Sequence, residues 1–171
     1  MLRVFKKNRE KKSKPIPQSL PSETSNEEIP RWYKYALDEL GQKEIRGRRH
    51  NDRILEYLET TTLSDKWAGR DETPWCAAFI GWTLEKSGIP SIRSARARSY
   101  EHWGIELDEP KVGCLAVFYR NSRSSGNGHI GYFVGKNPNG SIRICGGNQS
   151  DSVRISNYST DKLLSYRWPY E

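Results

Sequence analysis

Residues 73–84 have the sequence TPWCAAFIGWTL, an apolar stretch that opens with two typical helix-start residues. Thr73 is a preferred N-cap residue, and Pro74 fits the first turn of a helix, where its missing N–H costs nothing. Gly88 and Pro90 end the pattern. Because apolar residues occur on every side of the predicted helix, we expect it to be buried. A buried helix of this kind needs a partner layer, and the rest of the chain predicts one.

Helices are predicted on both sides of this stretch. From Pro30, apolar residues recur at helical spacing until Gly41, which is a typical helix end. Asn51 is a good N-cap for a second helix that ends near residue 58. A short helix is expected over residues 94–103.

After Pro110 the apolar pattern changes to that of β-strands. Short apolar runs are separated by a polar loop over residues 120–128 and by a tight Asn139-Gly140 turn. Helices followed by an antiparallel sheet predict an α+β fold. The predicted strands cover residues 115–119, 129–134, 141–145, 153–155 and 164–168.

The length of 171 residues allows one domain and a tail. Residues 1–29 are rich in Lys, Pro, Ser and Glu and predict a disordered, basic and polar tail or linker. Residues 30–171 then form the domain. The N-terminus lacks the apolar segment of a secretory signal, and no apolar run is long enough to span a membrane. If the target lies outside the cytoplasm, another system must deliver the protein.

The formal net charge of +7 favours an anionic partner, such as nucleic acid, anionic lipid or an anionic cell wall. No nucleic-acid-binding motif is present, so a basic nucleic-acid-binding module is the weaker alternative. The three cysteines are widely spaced and form neither a disulfide framework nor a CxxC pair typical of zinc sites. We therefore expect no metal and no cofactor.

Cys76 lies in the first turn of the predicted buried helix. Unpaired N–H groups and the helix dipole favour a thiolate there, which is the reactive form of cysteine. The same N–H groups can donate to a developing oxyanion. A small buried packing residue is the alternative interpretation of Cys76.

A nucleophilic thiol needs a base, and His129 is the best placed of three histidines. It follows a Gly-rich loop in the motif GHIG, residues 128–131, at the start of a predicted strand. A third group usually fixes the imidazole. Asn148, in the motif GGNQ at the end of the next strand, is the candidate, and Gln149 and Asp151 remain alternatives.

These three motifs, TPWCAAF, GHIG and GGNQSD, resemble those of small bacterial and phage cell-wall hydrolases related to the NlpC-type peptidases and the CHAP amidases. The resemblance covers about residues 32–169. It implies a minimal papain-like fold, with N-terminal helices packed on an antiparallel sheet. It also implies that Cys76 is the nucleophile, His129 the general base and Asn148 the third catalytic residue.

The resemblance further implies hydrolysis of a peptidoglycan amide bond through a thioester, as an N-acetylmuramoyl-L-alanine amidase or a stem-peptide endopeptidase. Asp71, Glu72 and Trp75 flank the nucleophile and are the predicted substrate-binding residues. A phage tail, a secretion machine or an immunity protein is a conceivable partner. A non-catalytic component of a phage particle or secretion machine that keeps this fold is the alternative function.

Overall fold

A computed structural model describes residues 28–170. The predicted tail, residues 1–29, therefore lies almost wholly outside the described residues. The part of the chain that is described contains a layer of helices and one six-stranded sheet.

The helices form where the sequence predicts them, except that the buried helix begins later than predicted. The Asn51 side chain accepts a hydrogen bond from the N–H of Arg53, as expected of an N-cap. The buried helix, however, begins at Cys76 rather than Thr73, because the Thr73 hydroxyl donates to the carbonyl of Trp67 (2.7 Å) instead of capping. The helices are α1 (Arg31–Asp38), α2 (Asp52–Glu59), α3 (Asp65–Ala68) and α4 (Cys76–Lys86), followed by a 3-10 helix over Ala97–His102.

The sheet is antiparallel throughout, in the order β1-β6-β2-β3-β4-β5. Its central strands are those predicted from alternating and apolar runs, whereas the short helix α3 and the edge strand β1 were not predicted. In the β2–β3 pair, His129 lies opposite Phe118, one residue from the end of the ladder. The strands are β1 (Ile105–Leu107), β2 (Leu115–Tyr119), β3 (Gly128–Lys136), β4 (Ile142–Gly146), β5 (Arg154–Tyr158) and β6 (Leu163–Trp168).

The main core lies between the helices and one face of the sheet. Helix α4 is buried on all sides over Cys76 to Leu84, and it packs on α1, α2 and β3. Val117, Ile130 and Tyr132 supply the sheet side of this core. A smaller apolar cluster covers the opposite face of the sheet. The arrangement confirms the predicted α+β fold, with helices packed on an antiparallel sheet.

None of the described helices is long and apolar enough to cross a membrane. The longest of them, α4, has 11 residues.

Candidate active site

Cys76 is the first residue of α4, so its thiol lies at the positive end of the longest described helix. The first intrahelical bond runs from Phe79 N–H to the carbonyl of Trp75 (2.9 Å), which leaves the N–H groups of Cys76, Ala77 and Ala78 without a helical acceptor. Burial raises the pKa of the Cys76 thiol, and the field of a nearby arginine and backbone N–H groups partly offset that rise. The thiol is therefore protonated at neutral pH until a base removes the proton.

His129 is nearly fully buried, with 1% of its surface exposed. Burial, together with a nearby guanidinium, lowers the pKa of His129 to about 4. The ring of Tyr158 stacks on the imidazole, with centroids 5.2 Å apart and planes 7° from parallel. At neutral pH the imidazole is thus neutral and oriented, as a general base must be.

Gln149 determines which nitrogen of the His129 imidazole carries the proton and which one can accept a proton. The Gln149 side-chain nitrogen donates to the carbonyls of Ile144 (3.2 Å) and Arg154 (2.5 Å), so its oxygen must face the imidazole. That oxygen lies 3.0 Å from Nε2 of His129. Since an amide oxygen only accepts, Nε2 carries the proton and Nδ1 keeps its lone pair. Nδ1 is therefore the basic nitrogen.

Asn148, the predicted third residue, lies elsewhere. Its side-chain oxygen, assigned from its hydrogen-bonding partners, accepts from the backbone N–H (3.2 Å) and the indole N–H (3.3 Å) of Trp75. Among the described residues, the amide that contacts His129 belongs to Gln149. The geometry therefore favours Gln149, the alternative left open by the sequence, over Asn148.

The loop that carries Gln149 has a strained backbone. Asn148, Ser150 and Asp151 all have positive φ, at 53°, 51° and 59°. Such a cluster of left-handed residues is costly and persists only where the surroundings hold it. Here the N–H of Glu44 donates to the carbonyl of Asp151 (2.9 Å), and Gln149 N–H donates to the carbonyl of Ser152 (3.0 Å). The strain aims the Gln149 side chain inwards, where only 4% of it is exposed.

Close packing against α4 explains why the second residue of the GGNQ motif, residue 147, is glycine. A Cβ at this position would lie 2.5 Å from the Trp75 ring and 2.8 Å from Cβ of Phe79. The loop can approach α4 this closely only because residue 147 has no side chain.

The structure brings Cys76, His129 and Gln149 into one cluster. The backbone N–H of Ile130, the residue after His129, interacts with the Cys76 thiol and lowers its pKa. Tyr158, which stacks on His129, also lies within the electrostatic field of Cys76. Helix α4 supplies the thiol, β3 the imidazole and the β4–β5 loop the amide.

Comparisons with known proteins agree with this arrangement. The family model of the CHAP domain matches residues 68–148, which run from the end of α3 to the GGNQ motif. Over these residues the chain is similar to the CHAP domain family. The predicted resemblance is thereby confirmed.

A solved structure of a lipoprotein-like protein of the NLP/P60 family, from Staphylococcus aureus, has the same fold with a TM-score of 0.50 and 18% sequence identity. The similarity covers 90% of this chain but 45% of that protein, so the chain spans less than half the length of this relative. No curated protein sequence matches the chain.

Two of the three predicted substrate-binding residues are fully buried. Trp75 packs against Tyr57 (5.7 Å between ring centroids) and donates its indole N–H to Glu44 (2.9 Å). Asp71 is likewise 0% exposed. Neither side chain is open to solvent in this structure, so its geometry gives no support to a substrate-binding role for either of them. Their burial follows from their use as anchors for the loops around α4.

Glu72, by contrast, is exposed and borders two open grooves. One groove, of about 590 Å³, has Trp67, Arg70 and Pro74 in its wall. The other, of about 640 Å³, is bordered by Glu44 and Asp151. Both grooves include Glu72, four residues before Cys76, but the walls of neither include Cys76, His129 or Gln149.

His50, Asp71 and Glu72 place ligand-type atoms within 4.8 Å of one another. Their hydrogen bonds already account for the cluster, because Asp71 accepts from the backbone N–H groups of Ile45 (2.9 Å) and Asn51 (2.8 Å) and lies 2.8 Å from Nδ1 of His50. Those backbone bonds and His50 hold the pKa of Asp71 below its usual value despite burial. The cluster therefore joins the loops that carry Ile45, Asn51 and Asp71.

Arg120 and Tyr158, which border the Cys76–His129 pair, were not predicted. Arg120 lies in a polar loop and Tyr158 on an edge strand, and no motif marks either of them. Strand pairing alone would not have placed Tyr158 at the imidazole, because the register aligns Tyr158 with Ile142 and Ile142 with Lys136, seven residues along β3 from His129.

Proposed function

We propose that the protein hydrolyses an amide bond of peptidoglycan, with Cys76 as nucleophile, Nδ1 of His129 as base and Gln149 as the group that orients the imidazole. The observation that supports this most strongly is the fixed amide of Gln149 on Nε2, because it leaves the lone pair of the imidazole on Nδ1, where Nη2 of Arg120 lies 3.4 Å away. The relationship to cell-wall hydrolases supports peptidoglycan as the substrate.

The reaction follows from these positions. His129 Nδ1 takes the thiol proton as Sγ attacks the amide carbonyl, and the N–H groups at the start of α4 stabilise the oxyanion. The imidazolium then protonates the leaving amine, which yields a thioester on Cys76. Water, deprotonated by the same nitrogen, attacks the thioester and restores the thiol.

A buried imidazole with a lowered pKa suits this sequence of proton transfers. It accepts the thiol proton only as the bond to carbon forms, and it gives that proton readily to the leaving amine. Burial lowers the pKa of the imidazole more than its hydrogen bond to Gln149 raises it, and the uncharged amide lacks the Coulombic attraction by which a carboxylate would raise that pKa further.

The proposal is tested by incubating the purified protein with peptidoglycan sacculi and measuring new primary amines and new reducing ends. Amide hydrolysis releases amines, whereas glycan cleavage releases reducing ends. We expect Cys76→Ala to lose the release of amines by several orders of magnitude. Cys114→Ala is the matched control, because Cys114 is equally buried but lies in the other apolar cluster.

Equal amine release by the wild type and Cys76→Ala would contradict the proposed nucleophile. Release of reducing ends without amines would contradict the proposed bond. Mass spectrometry of the released fragments then distinguishes amidase from endopeptidase, because the first frees the stem peptide from the sugar and the second cleaves within the peptide.

A further inference from the structure

The lone pair that His129 needs as a base is covered by Arg120 in this structure. Because Nε2 of His129 donates to the Gln149 oxygen (3.0 Å), the lone pair is on Nδ1, and Nη2 of Arg120 lies 3.4 Å from that nitrogen. A guanidinium can only donate, so the contact places a donor on the lone pair. The imidazole therefore cannot take the thiol proton until the guanidinium moves away.

The side chain of Arg120 can move while its backbone stays in place. The N–H of Arg120 donates to the carbonyl of Asn127 (2.9 Å), and its carbonyl accepts from the Ser125 hydroxyl. Arg98 holds the same loop by donating to the carbonyl of Ser125 (2.8 Å). Arg120 as a whole is exposed, although its guanidinium contacts a histidine that is only 1% exposed. The side chain thus reaches from solvent to the imidazole and can turn outwards about its own bonds.

No described acidic residue forms an ion pair with Arg120. Among residues 28–170, the guanidinium groups of Arg53, Arg98 and Arg167 do bind carboxylates. The contact of Arg120 with Nδ1 is also long for a hydrogen bond from a nitrogen donor. A carboxylate accepts two charge-assisted hydrogen bonds from a guanidinium, and each is roughly twice as strong as a bond between neutral groups. An incoming carboxylate can therefore draw the guanidinium away from the imidazole.

We propose that Arg120 selects substrates that carry a carboxylate beside the scissile amide, and that binding of this carboxylate frees Nδ1 of His129. The inference rests on the proposed function, in which that nitrogen takes the proton of Cys76. The stem peptides of peptidoglycan carry free carboxylates, so the proposed substrate supplies the group. Arg120 is then a specificity-determining residue, and the base becomes available only when a substrate with the right charge is bound.

The first test follows the imidazole without any turnover. Protein labelled with ¹⁵N at histidine is titrated with acetate, the simplest stable carboxylate probe, and in parallel with acetamide, its uncharged counterpart. The ¹⁵N resonance of Nδ1 reports whether a donor lies on its lone pair, and His129→Gln identifies the signals of His129. We expect acetate to move this resonance in the wild type towards that of an imidazole with a free lone pair, and acetamide to leave it in place.

Arg120→Met supplies the reference for a free lone pair. Methionine has a long side chain but no donor, so the Nδ1 resonance should lie at the free position from the start and should not respond to acetate. Arg123→Met is the matched control, because Arg123 lies on the same loop with its guanidinium 5.6 Å from the ring of Tyr119. It should keep both the wild-type resonance and the response to acetate.

The second test measures specificity with two forms of sacculi, one native and one whose carboxylates have been converted to amides with a carbodiimide and ammonia. We expect the wild type to release amines from native sacculi about ten- to a hundredfold faster, the range of one hydrogen bond to a charged group. The difference should appear in kcat as well as in KM, because the carboxylate also frees the base. Arg120→Met should cleave the two forms at similar rates.

The same Nδ1 resonance in the wild type and Arg120→Met would overturn the proposal, and so would a wild-type resonance that ignores acetate. Equal wild-type rates on native and amidated sacculi would overturn it as well, because Arg120 would then have a structural role only. Inactivity towards both forms would contradict the proposed function. The histidine spectra contain nothing that can be cleaved, so they still decide whether a carboxylate frees Nδ1.

Discussion

Two histidines of this chain lie beside a polar side chain, and they differ in what that side chain can do. His50 contacts the buried carboxylate of Asp71 through Nδ1 (2.8 Å), while His129 contacts the amide of Gln149 through Nε2 (3.0 Å). From residue types alone, the histidine–carboxylate pair looks more like part of a catalytic triad. Yet Asp71 also accepts two backbone N–H bonds, so its carboxylate joins loops together.

This difference shows that the role of a histidine and its polar partner depends on the other hydrogen bonds that the partner side chain makes. Asp71 is surrounded by donors from the backbone, and no described cysteine contacts His50. The amide nitrogen of Gln149 donates to two carbonyls, and its oxygen accepts from Nε2 of His129, so the lone pair of the imidazole is on Nδ1. The first arrangement stabilises a loop, and the second prepares a base.

The largest difference between the two histidines is expected when each imidazole is replaced with an amide. We expect His129→Gln to reduce amine release from sacculi by about 10²- to 10⁴-fold, the usual contribution of a general base. His50→Gln should lower it less than tenfold, because that ring only supports a loop. Rates are measured at equal concentrations of folded protein. Comparable losses in the two variants would mean that the loop-anchor interpretation of His50 is incorrect.

The second prediction concerns stability in acid. His129 in the unfolded chain binds a proton below about pH 6.5, but in the folded protein it does so only below about pH 4. Between these values the unfolded state binds more protons, so this residue makes the protein less stable as the pH falls from 6.5 to 4, by about 3 kcal/mol in total. Below pH 4 its contribution stays constant.

Urea unfolding at several pH values measures this effect. The wild type should lose more stability between pH 6.5 and 4 than His129→Gln, and His50→Gln should retain the wild-type difference that His129→Gln removes. Parallel curves for the wild type and His129→Gln would show that the imidazole is not buried in its neutral form.

The smallest effect on the rate is expected at Gln149 and Asn148, the two candidates for the residue that orients the imidazole. Gln149→Ala removes a buried hydrogen bond of about 1–3 kcal/mol and should lower amine release about ten- to a hundredfold. Asn148→Ala breaks contacts with Trp75 only, and it should change the free energy of unfolding more than the rate per folded molecule. The reverse ranking in rate would restore Asn148 as the orienting residue.

The sequence was sufficient for the layers of the fold, and it pointed to Cys76 and His129 as candidates that the structure places at the start of α4 and on β3. Helix periodicity, strand alternation and the order of the motifs carry that information, and they depend on local spacing. The sequence was insufficient to identify the residue that contacts the His129 imidazole. Asn148 and Gln149 are adjacent, and the backbone of their loop, with its positive φ values, decides which side chain turns inwards.

The burial of side chains beside Cys76 was the second feature that the sequence did not predict. Trp75 and Asp71 flank the nucleophile in the sequence, but one fills the core and the other binds backbone N–H groups. Proximity in sequence at the start of a helix says little about which side chains reach solvent. The start of α4 itself moved from Thr73 to Cys76 for a related reason, because the threonine hydroxyl found a tertiary acceptor.

The contact between Glu44 and Asp151 also has a consequence for the order in which the chain folds. These residues are more than a hundred positions apart, and a loop of that length closes late because of its entropy cost. The helix with the thiol and the β2–β3 hairpin with the imidazole depend on much shorter loops and can form before it. Gln149 is therefore expected to reach the imidazole last, so hydrogen exchange during refolding should protect the loop at 147–153 after the strand that carries His129. A fragment limited to residues 68–148 would contain Cys76 and His129 but would lack both Gln149 and the segment near Glu44 that holds its loop.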